Sequence, residues 1–276
     1  CIRDRSPLRV YSQRVTDNLR SINHDVDFEF AMRYGNPSIR SGLEALKQRG
    51  VTDLLLLPMF PHYAQATTES SLKHAHLQLK AMNWSPNLLE MGHFETAEEF
   101  IGPLSESIRP HLTEDTHLLF SYHGLPVSHV KRIDRSKAHC QTVEACCTVK
   151  CEANSLCYGR HCNETTMAVV ERLGLKPDQW SLSYQSRLGP VKWLEPSTTQ
   201  MVEALVKKGV KKLAIVAPAF LADGLETLEE LDIGIREEFM EHGGTELKVI
   251  NCLNDDEQWV RGLEQLIAKE FEQAVA

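Results

Sequence analysis

Six of the eight cysteines of this chain lie within one short stretch, soon after a histidine that ends an apolar run. These cysteines are Cys140, Cys146, Cys147, Cys151, Cys157 and Cys162. Thiolates bind zinc and iron–sulfur clusters, so the group predicts a soft-metal site. A disulfide framework is the alternative, but it is typical of short secreted domains, whereas this chain has 276 residues. A 2Fe-2S cluster is the favoured prediction, and a structural zinc is the other metal considered.

A 2Fe-2S cluster would take four of the six thiolates. The preferred set is Cys140, Cys147, Cys157 and Cys162, with Cys146 and Cys151 as alternates. Adjacent thiols at 146 and 147 cannot easily both face one pair of irons, and Cys162 precedes a predicted helix over 163–173 that would anchor the segment. The stretch from about 136 to 157 has neither a helical nor a strand period. We therefore interpret it as an insertion into an α/β connection.

His123 is the candidate base of this chain. It ends an apolar run, and Gly124 and Pro126 stop the chain directly after it. A strand that ends there leaves the imidazole at the rim of the sheet, where functional residues concentrate. A histidine side chain ordinarily has a pKa near 6.5, so a neutral imidazole can accept a proton near pH 7. A purely structural histidine is the alternative.

Acidic residues follow another predicted strand and form a second candidate group. Glu226 and Glu230 are four residues apart, so they share one face if 224–241 is an α-helix, and Asp223 precedes them. Glu229 would face another side, because each residue of an α-helix turns by about 100°. A solvated acidic helix start is the alternative. Imidazole and carboxylate groups with open positions suit Fe²⁺ in transit better than a closed thiolate cage does.

A third strand end leads into Pro58 to Tyr63 and then into a run of small polar residues, Ala64 to Ser71. Such a run could open a helix and present hydroxyl and N–H groups to an anion. A simple helix cap with turn prolines is the alternative.

The elements that must position these residues alternate along the chain. Predicted strands are 28–34, 53–59, 88–91, 117–123, 180–184, 212–217 and 247–252. Predicted helices are about 8–17, 37–49, 67–82, 95–112, 163–173, 197–208, 224–241 and 255–273. The alternation predicts an α/β fold with parallel sheets flanked by helices, and ligands bound beyond the carboxyl ends of the strands.

Composition excludes several classes of function. The formal net charge of −8 argues against a nucleic-acid surface, which needs a concentrated basic face. No glycine-rich phosphate loop follows any predicted strand, and no nucleophile elbow is present. The longest apolar stretch, around 54–60, is too short to cross a bilayer, which leaves peripheral membrane contact open. The missing signal peptide and the ligand-like thiols predict a cytoplasmic location.

Five segments of the sequence, in this order, resemble the ferrochelatase family, whose members insert ferrous iron into a porphyrin to complete haem. The segments are Met32–Pro37, Leu57–Tyr63 with Thr67–Ser71, Phe120–Pro126, Ser183–Pro190 with Trp193–Pro196, and Phe220–Leu228. They run in family order over nearly the whole chain. Together they are far more specific than any one of them.

The resemblance implies two similar Rossmann-like halves with the porphyrin held between them. The halves would be 1–114 and 115–276, and the second would carry the insertion at about 136–157. The family's first strand and the loop after it have no counterpart here, so we expect the first strand to be missing and the fragment to be inactive. The cysteine-rich insertion resembles an internal cluster of some bacterial members.

The resemblance also implies roles for single residues. His123 maps to the family's catalytic histidine and Glu226 to its catalytic acid, and both would meet the Fe²⁺ substrate. The residues implied to bind or support the porphyrin are Arg33, Tyr63, Ser70, Asp223 and Glu230. The alternatives are a chelatase for coproporphyrin or another metal, and a non-catalytic haem or iron–sulfur sensor. A sensor has no use for an acid–base pair.

Overall fold

Two parallel sheets organise the computed structural model of this chain, which describes residues 6–275. The first sheet pairs β1 (Asp53–Leu56) with β2 (Asn87–Glu90). The second has the order β4-β3-β5-β6, where β3 is Thr116–His123, β4 is Trp180–Gln185, β5 is Lys212–Val216 and β6 is Glu246–Val249. All neighbouring strands are parallel, so the predicted α/β fold is confirmed.

Helices flank both sheets. The α-helices are α1 (Pro7–Ile22), α2 (Ile39–Gln48), α3 (Ser70–Ala81), α4 (Glu98–Ile108), α5 (Val127–Ile133), α6 (Tyr158–Leu173), α7 (Thr198–Lys207), α8 (Arg236–Glu241) and α9 (Glu257–Val275). Short 3₁₀ turns cover Arg109–His111 and Glu152–Asn154, and π-helices cover Gln65–Glu69 and Glu226–Ile235. The sequence did not predict α5, which has only seven residues and too little length to show a period.

The predicted strand over 28–34 is wrong. The backbone there joins no ladder and makes only one isolated bridge, between Met32 and Ser38. Its hydrogen-bonding groups have other partners: the guanidinium of Arg20 donates to Phe28 O, and Met32 N donates to Pro37 O at 2.7 Å. A strand needs these groups for a neighbour, so the apolar run is only an irregular segment.

Strand β3 lies inside its sheet and is buried on both faces. Leu118, Phe120 and Tyr122 belong to one apolar cluster, whereas Leu119 belongs to a second cluster on the opposite face. This alternation follows from the two-residue period of a strand. Because helices cover both faces, the strand is apolar along most of its length, which made it recognisable from the sequence.

Helix α9 carries the end of the described chain back to the first sheet. Trp259 is fully buried, and its ring lies 6.2 Å from that of Phe94 and 6.1 Å from that of Phe100. The helices approach so closely that a Cβ on Gly262 would lie 2.5 Å from Glu99 O. The predicted division at 114/115 separates the two sheets but not the core, and it stays a prediction.

Candidate active site at the strand ends

The His123 imidazole lies at the carboxyl end of β3 and is held by the backbone carbonyl of the next residue. Its Nδ1 atom is 2.7 Å from Gly124 O. A carbonyl oxygen only accepts, so this contact assigns the proton to Nδ1 and leaves the lone pair of the neutral ring on Nε2. The ring is half-buried and meets the edge of Phe220 at 6.0 Å. Nε2 is therefore the atom that can act as a base.

Gly124 is a position where no larger residue fits. Its N–H donates to Gln185 O at 2.8 Å, and a Cβ there would lie 2.8 Å from that same oxygen and 3.2 Å from Trp193 Cε3. The glycine lets β3 and β4 stay paired up to the catalytic candidate. His123 itself pairs with Gln185 in the ladder.

A π-helix presents Glu226, where the sequence predicted an α-helix over 224–241. The chain becomes α-helical only at Arg236. The α-helical spacing that was predicted for Glu226, Glu229 and Glu230 is therefore wrong. The end of β4 fixes this helix: Gln185 Nε2 donates to Glu226 O at 2.9 Å, and Ser186 N donates to the Glu230 carboxylate at 2.6 Å. Tertiary bonds of this kind outweigh the local preference for an α-helix, and π-helices often mark functional sites.

The three acidic candidates differ in how far their carboxylates are engaged. Glu230 accepts from both the backbone and the hydroxyl of Ser186. Asp223 is buried and accepts from the three donors Thr227 Oγ1, Asn254 Nδ2 and Cys252 N at 3.0, 2.6 and 3.2 Å. Within residues 6–275, no hydrogen-bond donor meets the half-buried Glu226 carboxylate, so Glu226 is the acid of the three that has free oxygens.

The other residues implied to bind the porphyrin, Arg33, Tyr63 and Ser70, form a second group. Arg33 Nε donates to Ser70 Oγ at 3.0 Å, and Tyr63 Oη donates to Glu69 Oε2 at 2.9 Å. Burial, together with this bond to Glu69, raises the pKa of Tyr63 to about 12. The Tyr63 hydroxyl is therefore protonated at neutral pH. In the part of the chain that the structure describes, no hydrogen bond joins this group to His123 or Glu226.

Four of the six clustered thiols converge. Cys146 Sγ lies 3.9 Å from Cys147 Sγ, and a Cβ on Gly159 would lie 3.1 Å from Cys147 Sγ and 4.0 Å from Cys157 Sγ. A hydrogen bond from the Cys147 thiol is the main cause that lowers the pKa of Cys157, although burial opposes it. Further bonds from the α6 backbone and from the Cys140 thiol lower this pKa as well. The converging thiols are Cys140, Cys146, Cys147 and Cys157.

The other two thiols point elsewhere. Cys162 is fully buried in the core beside Tyr158 and Tyr122, and burial raises its pKa. Cys151 Sγ lies 3.5 Å from His139 Nε2. This geometry differs from the preferred ligand set, which included Cys162 and kept Cys146 as an alternate. The ligand set itself stays a prediction.

Two polar side chains hold the cysteine-rich segment in shape. The Asp134 carboxylate accepts from Ser136 N, Ser136 Oγ, His139 N and Cys140 N at 2.6 to 2.9 Å. Asn154 Nδ2 donates to Cys146 O at 2.9 Å and to Val149 O at 2.8 Å. An irregular segment cannot pair its own backbone groups, so side chains must satisfy them. These bonds lower the pKa of Asp134 well below its usual range.

Replacing Asp134 by Asn is expected to loosen this segment. An amide presents one acceptor oxygen instead of two, so about half of the four bonds are lost. We expect faster amide hydrogen exchange over 136–147 and a lower free energy of unfolding. Glu144→Gln is the matched control, because Glu144 is exposed in the same segment. Equal exchange rates in the two variants would contradict this role of Asp134.

A group formed by the partly exposed His93 and the buried Glu95 and His161 was not predicted, because His161 is distant in sequence from the other two. Their ligand atoms lie within 4.8 Å of one another, a spacing that could hold a metal. Burial opposes ionisation of Glu95, but the bond from His93 and the charge of His161 outweigh it and lower its pKa to about 2. Both nitrogens of His161 are engaged, Nδ1 by Tyr63 N at 3.2 Å and Nε2 by Ser155 O at 2.9 Å. We therefore read the group as a polar contact between the loop after β2 and helix α6.

The stability of the protein is expected to fall as pH drops below about 6.5. Burial lowers the pKa of His62 to about 3 and that of His161 to about 4, from an ordinary 6.5. The unfolded chain therefore binds more protons than the folded one between these values, so stability is lost with falling pH. We expect a loss of about 3 kcal/mol from pH 7 to pH 5, measured by urea unfolding. His62→Gln, which keeps a donor for Thr165, should remove about half of it, and an unchanged slope would contradict the assignment.

Comparison with known proteins identifies the family. The family model for ferrochelatase matches residues 1–271. This chain belongs to the ferrochelatase family. A ferrochelatase of Bdellovibrio bacteriovorus is 38% identical over 269 residues, covering 96% of this chain and 79% of that protein. A ferrochelatase of Stutzerimonas stutzeri is 39% identical over 267 residues, covering 96% of this chain and 78% of that protein.

Solved structures support the fold of this ferrochelatase-family chain. SirB from Bacillus subtilis with Fe³⁺ matches with a TM-score of 0.64 at 13% identity, covering 96% of this chain and 92% of that one. A sirohydrochlorin chelatase SirB from Bacillus subtilis subspecies spizizenii in complex with cobalt matches with a TM-score of 0.63 at 11% identity, covering 97% and 92%. At these identities the likeness shows the fold alone.

Proposed function

We propose that this enzyme inserts Fe²⁺ into protoporphyrin IX, with His123 as the base and Glu226 as the acidic partner. Membership of the ferrochelatase family makes the chain a metal chelatase of the lyase class in haem biosynthesis. The observation that carries the assignment of the base is the contact of 2.7 Å between His123 Nδ1 and Gly124 O. It leaves Nε2 as a free acceptor at the end of β3.

The reaction exchanges two protons for one metal ion. Each pyrrolic N–H bond breaks, its electron pair stays on nitrogen, and that pair then binds Fe²⁺. We assign acceptance of the pyrrolic protons to His123 Nε2, which can be reloaded only if each proton is passed on. Glu226 suits that step because its oxygens meet no donor in the part of the chain that the structure describes. Its negative charge also favours the approach of the cation. Neither step changes the oxidation state of iron.

Glu230 and Asp223 support Glu226 in this proposal. Ser186 occupies the carboxylate of Glu230, and three donors occupy that of Asp223. Carboxylates with such partners fix the backbone around them. We therefore assign to both residues the placement of the π-helix rather than direct contact with substrate.

Arg33, Ser70 and Tyr63 are proposed to hold the porphyrin. A guanidinium binds carboxylates well, so Arg33 suits a propionate of the macrocycle, and Ser70 orients it through their bond of 3.0 Å. The Tyr63 hydroxyl is engaged with Glu69, which leaves the ring as the part that can pack on an apolar ligand.

The converging thiols fit a 2Fe-2S cluster, and we propose Cys140, Cys146, Cys147 and Cys157 as its ligands. Thiolate sulfur is the donor type that such clusters use, and bonds from the α6 backbone favour the thiolate of Cys157. When bound, the cluster supplies one-electron redox chemistry and ties the segment together. Zinc bound by the same four thiolates is the alternative.

Cys146→Ser and Cys162→Ala are expected to separate the two ligand sets. Purified wild-type protein should be coloured and contain equal iron and acid-labile sulfide, measured after anaerobic preparation. Cys146→Ser should lose most of both, whereas Cys162→Ala should keep them because Cys162 is buried in the core. The reverse result would restore the set with Cys162. A colourless wild type with zinc and no sulfide would rule out the cluster.

Peripheral membrane contact is a further proposal. No helix among residues 6–275 has the length and apolar character to cross a membrane. Tyr34, Leu188 and Leu225 are strongly exposed, and Tyr34 and Leu225 directly adjoin Arg33 and Glu226. Apolar side chains beside a site for an apolar substrate suit delivery from a lipid surface. Co-sedimentation with phospholipid vesicles tests this, and no binding by wild-type protein would contradict it.

We retain the cytoplasm as the proposed compartment, since the described cysteines are free.

An anaerobic substrate comparison tests the proposed reaction. Full-length protein should form protohaem from Fe²⁺ and protoporphyrin IX faster than it metallates coproporphyrin III, and faster than it inserts Co²⁺. A higher kcat/KM with coproporphyrin or cobalt would assign the enzyme to that substrate instead. Porphyrin binding without any metallation would favour the sensor.

A further inference from the structure

Tyr158 joins the cysteine-rich segment to the candidate base. It is the first residue of α6 and directly follows Cys157. Its side chain is buried, and its hydroxyl donates to His123 O at 2.8 Å. The bond therefore reaches from a neighbour of the clustered thiols to the backbone of the histidine at the end of β3.

This bond is one of two that fix the peptide unit between His123 and Gly124. The other runs from Gly124 N to Gln185 O at 2.8 Å. The imidazole Nδ1 lies 2.7 Å from the carbonyl oxygen of the next peptide unit, Gly124 O, and this contact sets the direction of Nε2. Without the Tyr158 hydroxyl, His123 O would lose this partner, and the first peptide unit would be held at Gly124 N alone. A shift of this backbone would change the direction of Nε2.

The backbone on either side of Tyr158 contacts the cysteine-rich segment. Cys157 N donates to Asn154 O at 2.9 Å, and Asn154 in turn holds the carbonyl of Cys146. The thiol of Cys147 packs close against Gly159, the residue after Tyr158. A rearrangement of the thiols must therefore shift the first turn of α6, where Tyr158 lies.

We propose that Tyr158 is a positioning residue that transmits the arrangement of the cysteine segment to His123. The proposal rests on the proposed function, in which His123 is the base. It gives the segment a role in the reaction that needs no direct contact between a thiol and the porphyrin. Tyr158 holds the backbone of the base and touches no reacting atom.

Tyr158→Phe and Tyr122→Phe form a matched pair of variants. Each removes one buried hydroxyl, but Tyr122 Oη bonds Thr166 Oγ1 at 2.8 Å and not His123. We expect kcat of Tyr158→Phe to fall about tenfold with KM unchanged, since a misdirected base slows chemistry but not binding. Tyr122→Phe should keep kcat, and both variants should melt at similar temperatures. Equal kcat values in the two variants would overturn the proposal.

A second measurement does not depend on activity. The rate at which diethyl pyrocarbonate modifies His123, followed by peptide mass spectrometry, reports how the imidazole is held. We expect this rate to change about threefold or more in Tyr158→Phe and in Cys157→Ser, with no further change in the double variant. Additive changes, or an unchanged rate in Tyr158→Phe, would overturn the link. An altered rate in a protein that inserts no iron would retain the link and refute only the proposed function.

Discussion

His123→Ala is expected to lower kcat for iron insertion by about 100- to 10 000-fold, the range that a general base usually contributes. The loss should appear in kcat with little change in the dissociation constant for protoporphyrin, since the imidazole acts on the pyrrolic protons. Folding should be preserved, because His123 is half-buried at a strand end and, among residues 6–275, its side chain bonds only the backbone carbonyl of Gly124. Steady-state kinetics, fluorescence titration with porphyrin and thermal melting measure the three quantities.

His24→Ala is the control for this prediction, because His24 is exposed after α1. It should have the kinetics of the wild type. A kcat for His123→Ala within tenfold of the wild-type value would remove His123 as the base. A large fall in melting temperature would instead indicate a structural histidine.

Glu226→Gln is the second change with a large expected effect, about 100-fold in kcat. The amide keeps the shape of the side chain and removes its capacity to accept a proton. The Glu226 backbone is held by Gln185, so the π-helix should persist. Stopped-flow absorbance of protohaem formation measures the rate.

Glu229→Gln is the matched control within the same helix. Glu229 is exposed, and its loss should change kcat less than threefold. A larger loss in Glu229→Gln than in Glu226→Gln would mean that the helix presents a different acid to the substrate.

The parts of the fold that follow from burial were predictable. Strand β3 appears in the sequence as an apolar run because both of its faces are covered, and a polar or glycine residue marks its end. The run at 28–34 is also apolar, but the bonds of Arg20 and Pro37 to its backbone depend on the folded chain, so no local pattern distinguishes it from a strand. The π-helix was hidden for the same reason, since Gln185 and Ser186 impose it from a distant strand.

The candidate site was predictable where it depends on strand ends. His123 and Glu226 could be proposed because the carboxyl ends of parallel strands gather at one edge. The convergence of thiols was not predictable, since an irregular segment has no period from which directions can be inferred. Cys146 and Cys147 were not expected to face one pair of irons together, yet their sulfur atoms lie 3.9 Å apart. The bond from Tyr158 to His123 gave no sequence signal, because it joins a side chain to a backbone carbonyl 35 residues away.

Single-turnover iron insertion tests the central claim most directly. Full-length protein is loaded with protoporphyrin IX, mixed anaerobically with Fe²⁺, and followed by absorbance, with His123→Ala treated in parallel. The account predicts that the wild type converts its bound porphyrin to protohaem, while the variant binds the porphyrin but leaves it metal-free over the same time. Equal rates in the two proteins, or no protohaem from the wild type, would contradict it.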